Sequence, residues 1–264
     1  MTTKFIPVSA HRFALAPGIG ISLGAEAFSP SQRLCISAWS EHVPFLTWLI
    51  TRQRPGVFVE LGTHTGMSYC AACQTVRAGR IPTKCFAVDT WQGDEHAGFY
   101  GGEVFANLRA HHDPLYGGFS TLMRKTFDEA AADFAPESID LLHIDGLHSY
   151  EAVKHDFDTW RPMVRPGGIV LFHDTQVRNR GFGVYQLWAE LAQTYPSFEF
   201  YHGYGLGVLQ LGAPVGDIAG QGEIDALFAA DEMQQVVIRQ AFAHLGCANA
   251  LDVADRMRRE GASK

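Results

Sequence analysis

The chain has 264 residues, of which 47% are hydrophobic and 19% charged, a balance typical of a globular protein and not of a disordered one. Its 21 Lys and Arg residues stand against 28 Asp and Glu residues, giving a net charge of −7. Duplex nucleic-acid binders carry a basic surface instead, so we expect no nucleic-acid partner. No apolar run reaches the roughly 18 residues of a membrane span. The five cysteines are too few and too scattered for a disulfide framework, which predicts a reducing, cytoplasmic setting.

Residues 1–54 are predicted to form an irregular leader followed by a helical segment. The helical pattern begins near Ser29 or Ser31, both of which are residue types that cap helices. Pro44 lies inside this pattern and predicts a kink or a break into two shorter helices.

Residues 55–212 alternate short apolar runs with helical stretches, a pattern typical of a parallel sheet with crossover helices. Two final runs are joined by Gly203-Tyr204-Gly205, which predicts an antiparallel hairpin that closes the sheet. The predicted fold class is therefore α/β, a Rossmann-like seven-stranded sheet, mostly parallel, with helices on both faces. The seven predicted strands are Val57–Leu61, Cys85–Val88, Thr121–Arg124, Ile139–Ile144, Gly168–Phe172, Phe198–His202 and Leu206–Leu211.

Residues 213–264 are predicted to be a linker and a helical C-terminal tail. Apolar residues recur at near-helical spacing over 223–260, which predicts two helices, with Gly246 as a stop signal. The tail could pack on its own domain or on a partner subunit, so a homo-oligomer formed through these helices is one of two open alternatives.

A glycine-rich turn follows the first predicted strand, with Gly62 and Gly66 in a Gly-x-x-x-Gly spacing. Glycine lets the backbone approach a ligand closely, and the following helix directs its N-terminus toward that ligand. The third glycine of the dinucleotide fingerprint is missing, and Glu60 disfavours a pyrophosphate but suits a cationic ligand. The second strand ends in Asp89, which could accept hydrogen bonds from ribose hydroxyls. Such turns also occur for packing alone, so the motif leaves a purely structural role open.

This succession of acid, glycine loop, acid and closing hairpin resembles the layout of a class I S-adenosylmethionine-dependent methyltransferase. S-adenosylmethionine carries an amino acid, a ribose and a sulfonium, which match these groups. The residues predicted to bind it are Glu60, Gly62, Thr63, His64, Gly66, Ser68, Asp89, Thr90, Trp91 and Asp145. The resemblance places the adenine beside Thr126, Phe127 and Asp128.

Acidic residues and histidine follow the fourth and fifth predicted strands: Asp145 and His148 after the fourth, Asp174 after the fifth. If these strands are neighbours, their ends lie about 4.8 Å apart, at the edge where open parallel sheets bind ligands. The two carboxylates could then share a divalent cation such as Mg²⁺, and His148 could accept a proton at neutral pH. A single Asp at a strand end more often caps the next helix, so it is the combination that favours a catalytic site.

Two signatures around these residues resemble those of the family-24 methyltransferase domain, a class I type. They are Asp-Gly-x-His-x-Tyr at 145–150 and Gly-Gly followed by an apolar run and His-Asp at 167–174. Similar proteins include metal-dependent sugar O-methyltransferases and the cephalosporin hydroxylase group. The resemblance implies Asp145 and Asp174 as Mg²⁺ ligands and His148 as the catalytic base beside Asp145. This sequence has His173 where the family has an acid. Because imidazole is a poor Mg²⁺ ligand, either His173 does not ligate, or the site accepts Mn²⁺, or metal binding is weak.

The segment 89–100 is dense in aromatic, acidic and glycine residues. Its rings could form a platform for a sugar, and an ordered loop with locally packed aromatics is the alternative. The residues predicted to contact the acceptor are Trp91, His96, Tyr100, His148, Tyr150 and Arg178. We therefore predict methyl transfer from S-adenosylmethionine to a hydroxyl of a small-molecule or oligosaccharide acceptor, favouring a sugar by resemblance. The alternatives are a phenolic or catechol acceptor, and a non-catalytic methyltransferase fold that acts as a partner in glycan assembly.

Overall fold

The computed structural model describes residues 12–214 and 220–262, so parts of the predicted leader and linker lie outside the described residues. Within the described part, a central sheet has seven strands: β3 (Val57–Leu61), β4 (Lys84–Asp89), β7 (Ser120–Arg124), β8 (Ile139–Ile144), β9 (Val164–His173), β10 (Ser197–Phe200) and β11 (Leu206–Leu211). Two short hairpins lie outside it: β1 (Phe13–Ala14) with β2 (Ser22–Leu23), and β5 (Gly93–Asp94) with β6 (Gly98–Phe99).

Helices connect and cover these strands. The α-helices are α1 (Val43–Gln53), α2 (Met67–Ala78), α3 (Gly102–Tyr116), α4 (Phe127–Ala131), α5 (Tyr150–Trp160), α6 (Val184–Leu191), α7 (Gln221–Phe228) and α8 (Glu232–Ala262). Short 3-10 helices span Ala25–Phe28, Ala38–Glu41 and Arg161–Met163. No helix among the described residues is both long and apolar enough to cross a membrane.

The strand order is β10-β11-β9-β8-β3-β4-β7, and β11 is the strand that runs antiparallel to both of its neighbours. This confirms the predicted α/β class with a closing hairpin. The parallel register places Ile144 of β8 beside Phe172 of β9, and Leu61 of β3 beside Ile144. The residues that follow these three strands therefore meet at one edge of the sheet.

Apolar side chains cover both faces of the sheet. Because successive strand residues point to opposite faces, Phe58 packs into the layer formed by α1, α2, α3, α7 and α8. Val59 and Leu61 pack into the opposite layer, formed by α4, α5 and α6. Because helices cover both faces of the sheet, a ligand can reach polar side chains only beyond the ends of the strands. The predicted site lies at the carboxyl ends.

The helix predicted from Ser29 or Ser31 begins later than expected. A 3-10 helix spans Ala38–Glu41 and α1 starts at Val43, so neither serine caps α1. Pro44 lies in the first turn of α1, where its missing N–H would have no partner within the helix. The structure therefore has no kink at Pro44 but the predicted alternative, a break into two shorter helices, with Pro44 in the first turn of the second.

The C-terminal tail forms two helices, as predicted, but Gly246 does not end a helix. Helix α8 runs through Gly246, where a Cβ atom would lie 2.0 Å from the carbonyl oxygen of Glu41. The glycine permits the close packing of α8 against Ala38–Glu41. Ile238 and Phe242 of α8 are buried in the same layer as α1, so the tail docks on its own chain.

Candidate active site

The turn after β3 depends on close backbone approach. Gly62 has φ +85°, and a Cβ atom there would lie 2.0 Å from the carbonyl oxygen of Asp145. Gly66 has φ +82° and immediately precedes α2, with the side chain of Leu108 2.5 Å from where its Cβ would lie. A side chain at either position would clash with these neighbours, so both positions require glycine. Gly62 also allows the loops after β3 and β8 to come together.

The Asp89 carboxylate organises the same edge. Its Oδ2 accepts hydrogen bonds from the backbone N–H groups of Thr63 at 2.9 Å and His64 at 2.8 Å. Its Oδ1 accepts one from the N–H of Trp91 at 2.6 Å. The Asp89 carboxylate keeps acceptor capacity beyond these three bonds, to which a ribose hydroxyl could donate. The ribose contact stays a prediction.

A cavity of about 260 Å³ lies above this turn. The predicted cofactor residues that line it are Gly62, His64, Asp89, Thr90, Thr126, Phe127 and Asp145. The predicted acceptor residues Tyr100 and His148 line it as well. Six further predicted cofactor residues do not line it: Glu60, Thr63, Gly66, Ser68, Trp91 and Asp128.

The start of helix α4 places two of the three residues expected at the adenine, Thr126 and Phe127, at the cavity. Thr126 caps the helix by accepting a hydrogen bond from the N–H of Glu129, which fixes Phe127 at the helix start. A Cβ atom on Gly146 would lie 2.4 Å from the Phe127 ring, so the glycine after Asp145 lets that ring approach the loop. Asp128 pairs with His155 at 2.8 Å on the surface.

Glu60 is fully buried, and its carboxylate is not exposed to the cavity. Its Oε2 lies 2.8 Å from Nδ1 of His143, and Nε2 of His143 lies 3.9 Å from Oδ2 of Asp145. Glu60 thus pairs with a buried histidine whose other nitrogen lies near Asp145 without hydrogen-bonding to it, and direct contact of Glu60 with a cofactor stays a prediction. His143 was not among the predicted site residues, and its one signal in the sequence is a polar ring in a strand whose only other polar residue is Asp140.

The loops after β8 and β9 bring Asp145, His148 and Asp174 together. Nε2 of His148 lies 2.9 Å from Oδ2 of Asp174 and 3.5 Å from Oδ1 of Asp145. One ligand atom from each residue lies within 4.8 Å of the other two. The neighbouring register of β8 and β9 produces this cluster.

His173, the residue that replaces an acid of the family signature, also faces the cluster. Its Nδ1 lies 3.3 Å from Oδ1 of Asp145 and 3.3 Å from Oδ2 of Asp174. Its Nε2 lies 3.1 Å from the carbonyl oxygen of Gly203, to which it donates. A backbone carbonyl that holds the far nitrogen in this way orients the near nitrogen, as in many metal-binding histidines.

Charge within this cluster is balanced by histidine. Burial alone would lower the pKa of His148, but hydrogen bonds and charge from Asp145 and Asp174 raise it to about 9. Burial likewise opposes the charged form of His173, yet the same two carboxylates raise its pKa to about 10. Burial disfavours charge on Asp145 and Asp174, and the histidines nevertheless hold the pKa of both below the ordinary value. At neutral pH the two carboxylates therefore face two protonated imidazoles.

The same atoms fit a small divalent cation. Adjacent ligands of an octahedral ion bound at about 2.1 Å are about 3.0 Å apart, and Nδ1 of His173 lies 3.3 Å from one oxygen of each carboxylate. Two carboxylates suit Mg²⁺ or Mn²⁺, and the addition of imidazole favours Mn²⁺. A cation would replace the positive charge that the histidines now provide.

Aromatic rings from two other loops pack against His148, a contact that was not predicted from the sequence. Phe182 lies parallel to His148, with ring centroids 4.4 Å apart and an interplanar angle of 6°. The ring of His96 lies beside both, with its centroid 4.6 Å from that of Phe182 and 5.6 Å from that of His148. The three rings come from three separate loops, so no spacing in the sequence could have indicated the stack.

The remaining predicted acceptor residues lie elsewhere. The ring of Trp91 is fully buried, packs on Phe105 with centroids 4.6 Å apart, and donates its Nε1–H to the carbonyl oxygen of His64. Trp91 therefore does not form an exposed sugar platform in this structure. Tyr150 donates its hydroxyl to the Glu190 carboxylate at 3.1 Å. Arg178 lies in a separate groove, described below.

Comparison with known proteins agrees with this architecture. Residues 59–175 match the family model described as a methyltransferase domain, Methyltransf_24. The uncharacterized protein y4gI of Sinorhizobium fredii is 54% identical over 181 residues, which are 69% of this chain and 20% of that protein. An uncharacterized protein of Acanthamoeba polyphaga mimivirus is 40% identical over 58 residues, 21% of this chain and 26% of that protein. The chain thus spans about a fifth to a quarter of the length of these relatives.

Two solved structures share the fold. A Staphylococcus aureus protein assigned provisionally as a caffeoyl-CoA O-methyltransferase matches with a TM-score of 0.51 and 13% identity, covering 65% of this chain and 83% of its own. The O-methyltransferase TomG of Streptomyces achromogenes, solved with S-adenosylmethionine, matches with a TM-score of 0.50 and 13% identity, covering 68% and 82%. At this identity the likeness concerns the fold alone. A methyltransferase-domain model thus matches residues 59–175 of this chain, and the chain has the same α/β fold as these two solved structures.

Proposed function

We propose that the chain is an S-adenosylmethionine-dependent O-methyltransferase that uses a divalent cation and acts on a hydroxyl of a sugar or glycan. The observation that carries this proposal is the shared position of Asp145 and His148. Both line the cavity formed with Gly62 and Asp89, and both belong to the Asp-His-Asp cluster. A methyl donor in the cavity would therefore lie directly beside a proton acceptor and a cation site.

The chain's own residues would position the reactants and remove a proton. An acceptor hydroxyl is hardly ionised at pH 7, so it needs both a base and local stabilisation of its oxyanion. When bound between Asp145 and Asp174, a divalent cation would lower the pKa of that hydroxyl and weaken the hold of both carboxylates on the His148 proton. Nε2 of His148, the atom that faces both carboxylates, would take the hydroxyl proton.

S-adenosylmethionine would supply an activated methyl group, so orientation contributes much of the remaining rate enhancement. The close contact of Gly62 with the Asp145 carbonyl fixes the distance between the cavity and the cluster. The proposal of a cation is supported by the fit of the donor atoms. The proposal of a sugar acceptor is supported by the resemblance of the two signatures to those of sugar O-methyltransferases.

Calorimetry with S-adenosylmethionine tests the cofactor, and we expect saturable binding to one site. Release of S-adenosylhomocysteine then tests the acceptor, with a panel of glycosides beside catechol, each measured with Mn²⁺ and with EDTA. We expect turnover of a glycoside that EDTA abolishes. No cofactor binding would support the non-catalytic alternative, turnover of catechol alone would support a phenolic acceptor, and full activity in EDTA would remove the cation from the mechanism.

A further inference from the structure

A second groove lies beside the catalytic cluster and outside the cofactor cavity. It has a volume of about 400 Å³ and is lined by Gln176, Val177, Arg178, Asn179 and Tyr204. Gln176 is two residues beyond Asp174, and two residues span at most about 7 Å of chain. The N–H of Gln176 also donates to the carbonyl oxygen of Tyr204 at 2.9 Å, which fixes the two walls to each other. A ligand in this groove would therefore bind close to the Asp174 end of the cluster.

Arg178 is held in place before any ligand arrives. Its guanidinium carbon lies 4.2 Å from the centroid of the Tyr185 ring, a distance typical of a cation–π contact. Its Nη1 donates to the carbonyl oxygen of Thr175 at 2.7 Å. Within residues 12–214 and 220–262, these bonds involve only Nη1, and no carboxylate pairs with Arg178. The Nε and Nη2 edge of the guanidinium is therefore left for a ligand.

The rest of the lining matches a negatively charged ligand. None of the five lining residues is acidic, and Asn179 and Tyr204 add an amide and a hydroxyl as hydrogen-bond donors. Glu199 is close by, but its Oε1 accepts a hydrogen bond from Gln176 Nε2 at 2.7 Å. An unpaired guanidinium in a chain of net charge −7 marks this groove as a local positive site.

We propose that the acceptor carries an oxyanion, a carboxylate or a phosphate ester, that Arg178 binds in this groove. The planar fork of arginine matches both groups through two parallel hydrogen bonds, which a neutral hydroxyl cannot accept in the same way. Binding there would place a neighbouring hydroxyl of the acceptor at the Asp-His-Asp cluster. This inference rests on the proposed function, because it describes the acceptor of that reaction.

The test measures binding of D-glucuronate, glucose 6-phosphate and D-glucose to the full chain saturated with S-adenosylhomocysteine. The readout is the NMR signal of the Arg178 Nε–H group, followed through a titration into the millimolar range. We expect one or both anions to shift this signal and D-glucose to leave it unchanged. The carboxylate and phosphate arms identify which oxyanion the groove prefers. An equal shift with D-glucose, or no shift with either anion, would overturn the proposal.

Three variants separate the groove from general charge effects. Arg178→Gln should weaken anion binding at least about tenfold, because it removes a charge-assisted pair of hydrogen bonds. Arg178→Lys should give an intermediate loss, since it keeps the charge without the fork. Arg161→Gln removes the same charge from an exposed site before β9, at the opposite edge of the sheet, and should change binding less than twofold.

Equal losses in Arg178→Gln and Arg161→Gln would show that the effect is not local to the groove, and would overturn the proposal. Absence of S-adenosylhomocysteine binding would count against the proposed function instead. In that case the anion titration of the cofactor-free chain still reports on the groove, so the two failures are distinguishable.

Discussion

Two sets of carboxylates at the same sheet edge are stabilised in different ways. Asp89 accepts hydrogen bonds from three backbone N–H groups. Asp145 and Asp174 are balanced by the imidazoles of His148 and His173. A backbone amide keeps its proton at any ordinary pH. A protonated imidazole can lose its proton, and a metal ion can then replace it as the positive partner of the carboxylates. We infer that the Asp89 side of the edge is a permanent scaffold and that the Asp145 and Asp174 side is the exchangeable part.

The largest effect is expected from removing one exchangeable carboxylate. Asp174→Asn should weaken Mn²⁺ binding by about 100-fold or more, because even residues that only support a metal ligand contribute about 10- to 100-fold. S-adenosylhomocysteine affinity should change less than about threefold, since Asp174 does not line the cavity. Calorimetry measures both, and Asp133→Asn, which removes an exposed carboxylate, is the control. Unchanged Mn²⁺ affinity in Asp174→Asn would show that the cluster is not the cation site.

The reciprocal change removes the scaffold carboxylate. In Asp89→Asn the new amide group must face a backbone N–H, so at least one donor loses its acceptor, at a cost of about 1–3 kcal/mol. We expect a matching decrease in the free energy of unfolding and an S-adenosylhomocysteine affinity at least about tenfold weaker. Urea denaturation and calorimetry measure the two quantities. Mn²⁺ affinity should be unchanged, and its loss would contradict the division between scaffold and exchangeable parts.

Proton release tests the exchange itself. At pH 7 His148 and His173 are protonated, because Asp145 and Asp174 raise their pKa values to about 9 and about 10. A cation that replaces them must displace protons, so Mn²⁺ affinity should rise about tenfold per pH unit for each proton displaced. Calorimetry at pH 7 and pH 8, in buffers of different ionisation enthalpy, counts the protons. A pH-independent affinity would mean that the histidines are neutral before the cation binds.

Much of this edge could be predicted because strand pairing is a regular geometry. Once β8 and β9 are parallel neighbours, Asp145 and Asp174 must lie at adjacent strand ends, and the sequence signatures identified both strands. The glycine loop could be predicted equally well, since Gly62 and Gly66 follow β3 at a recognisable spacing.

Contacts between separate loops could not be predicted in the same way. Trp91 has the sequence context of an exposed aromatic in a polar loop, yet it is fully buried against Phe105 of α3. Gly246 has the local pattern of a helix stop, yet its role is set by Glu41, far away in the chain. In both cases the deciding partner comes from another element, and a local pattern holds no information about it.

The smallest effect concerns the ring that covers the exchangeable part. Phe182→Leu keeps an apolar side chain but removes the parallel stack on His148, and an aromatic pair contributes about 0.5–1.5 kcal/mol beyond its buried area. If the stack holds the imidazole beside Asp174, Mn²⁺ affinity should change by about two- to tenfold, and the ring-proton signals of His148 should move downfield in NMR spectra. Phe99→Leu, at an 81% exposed site in β6, should alter neither quantity. A shifted His148 signal with unchanged Mn²⁺ affinity would contradict this role. The imidazole of His148 would then keep its position beside Asp174 without the Phe182 ring, so the stack would serve only to pack the loops together.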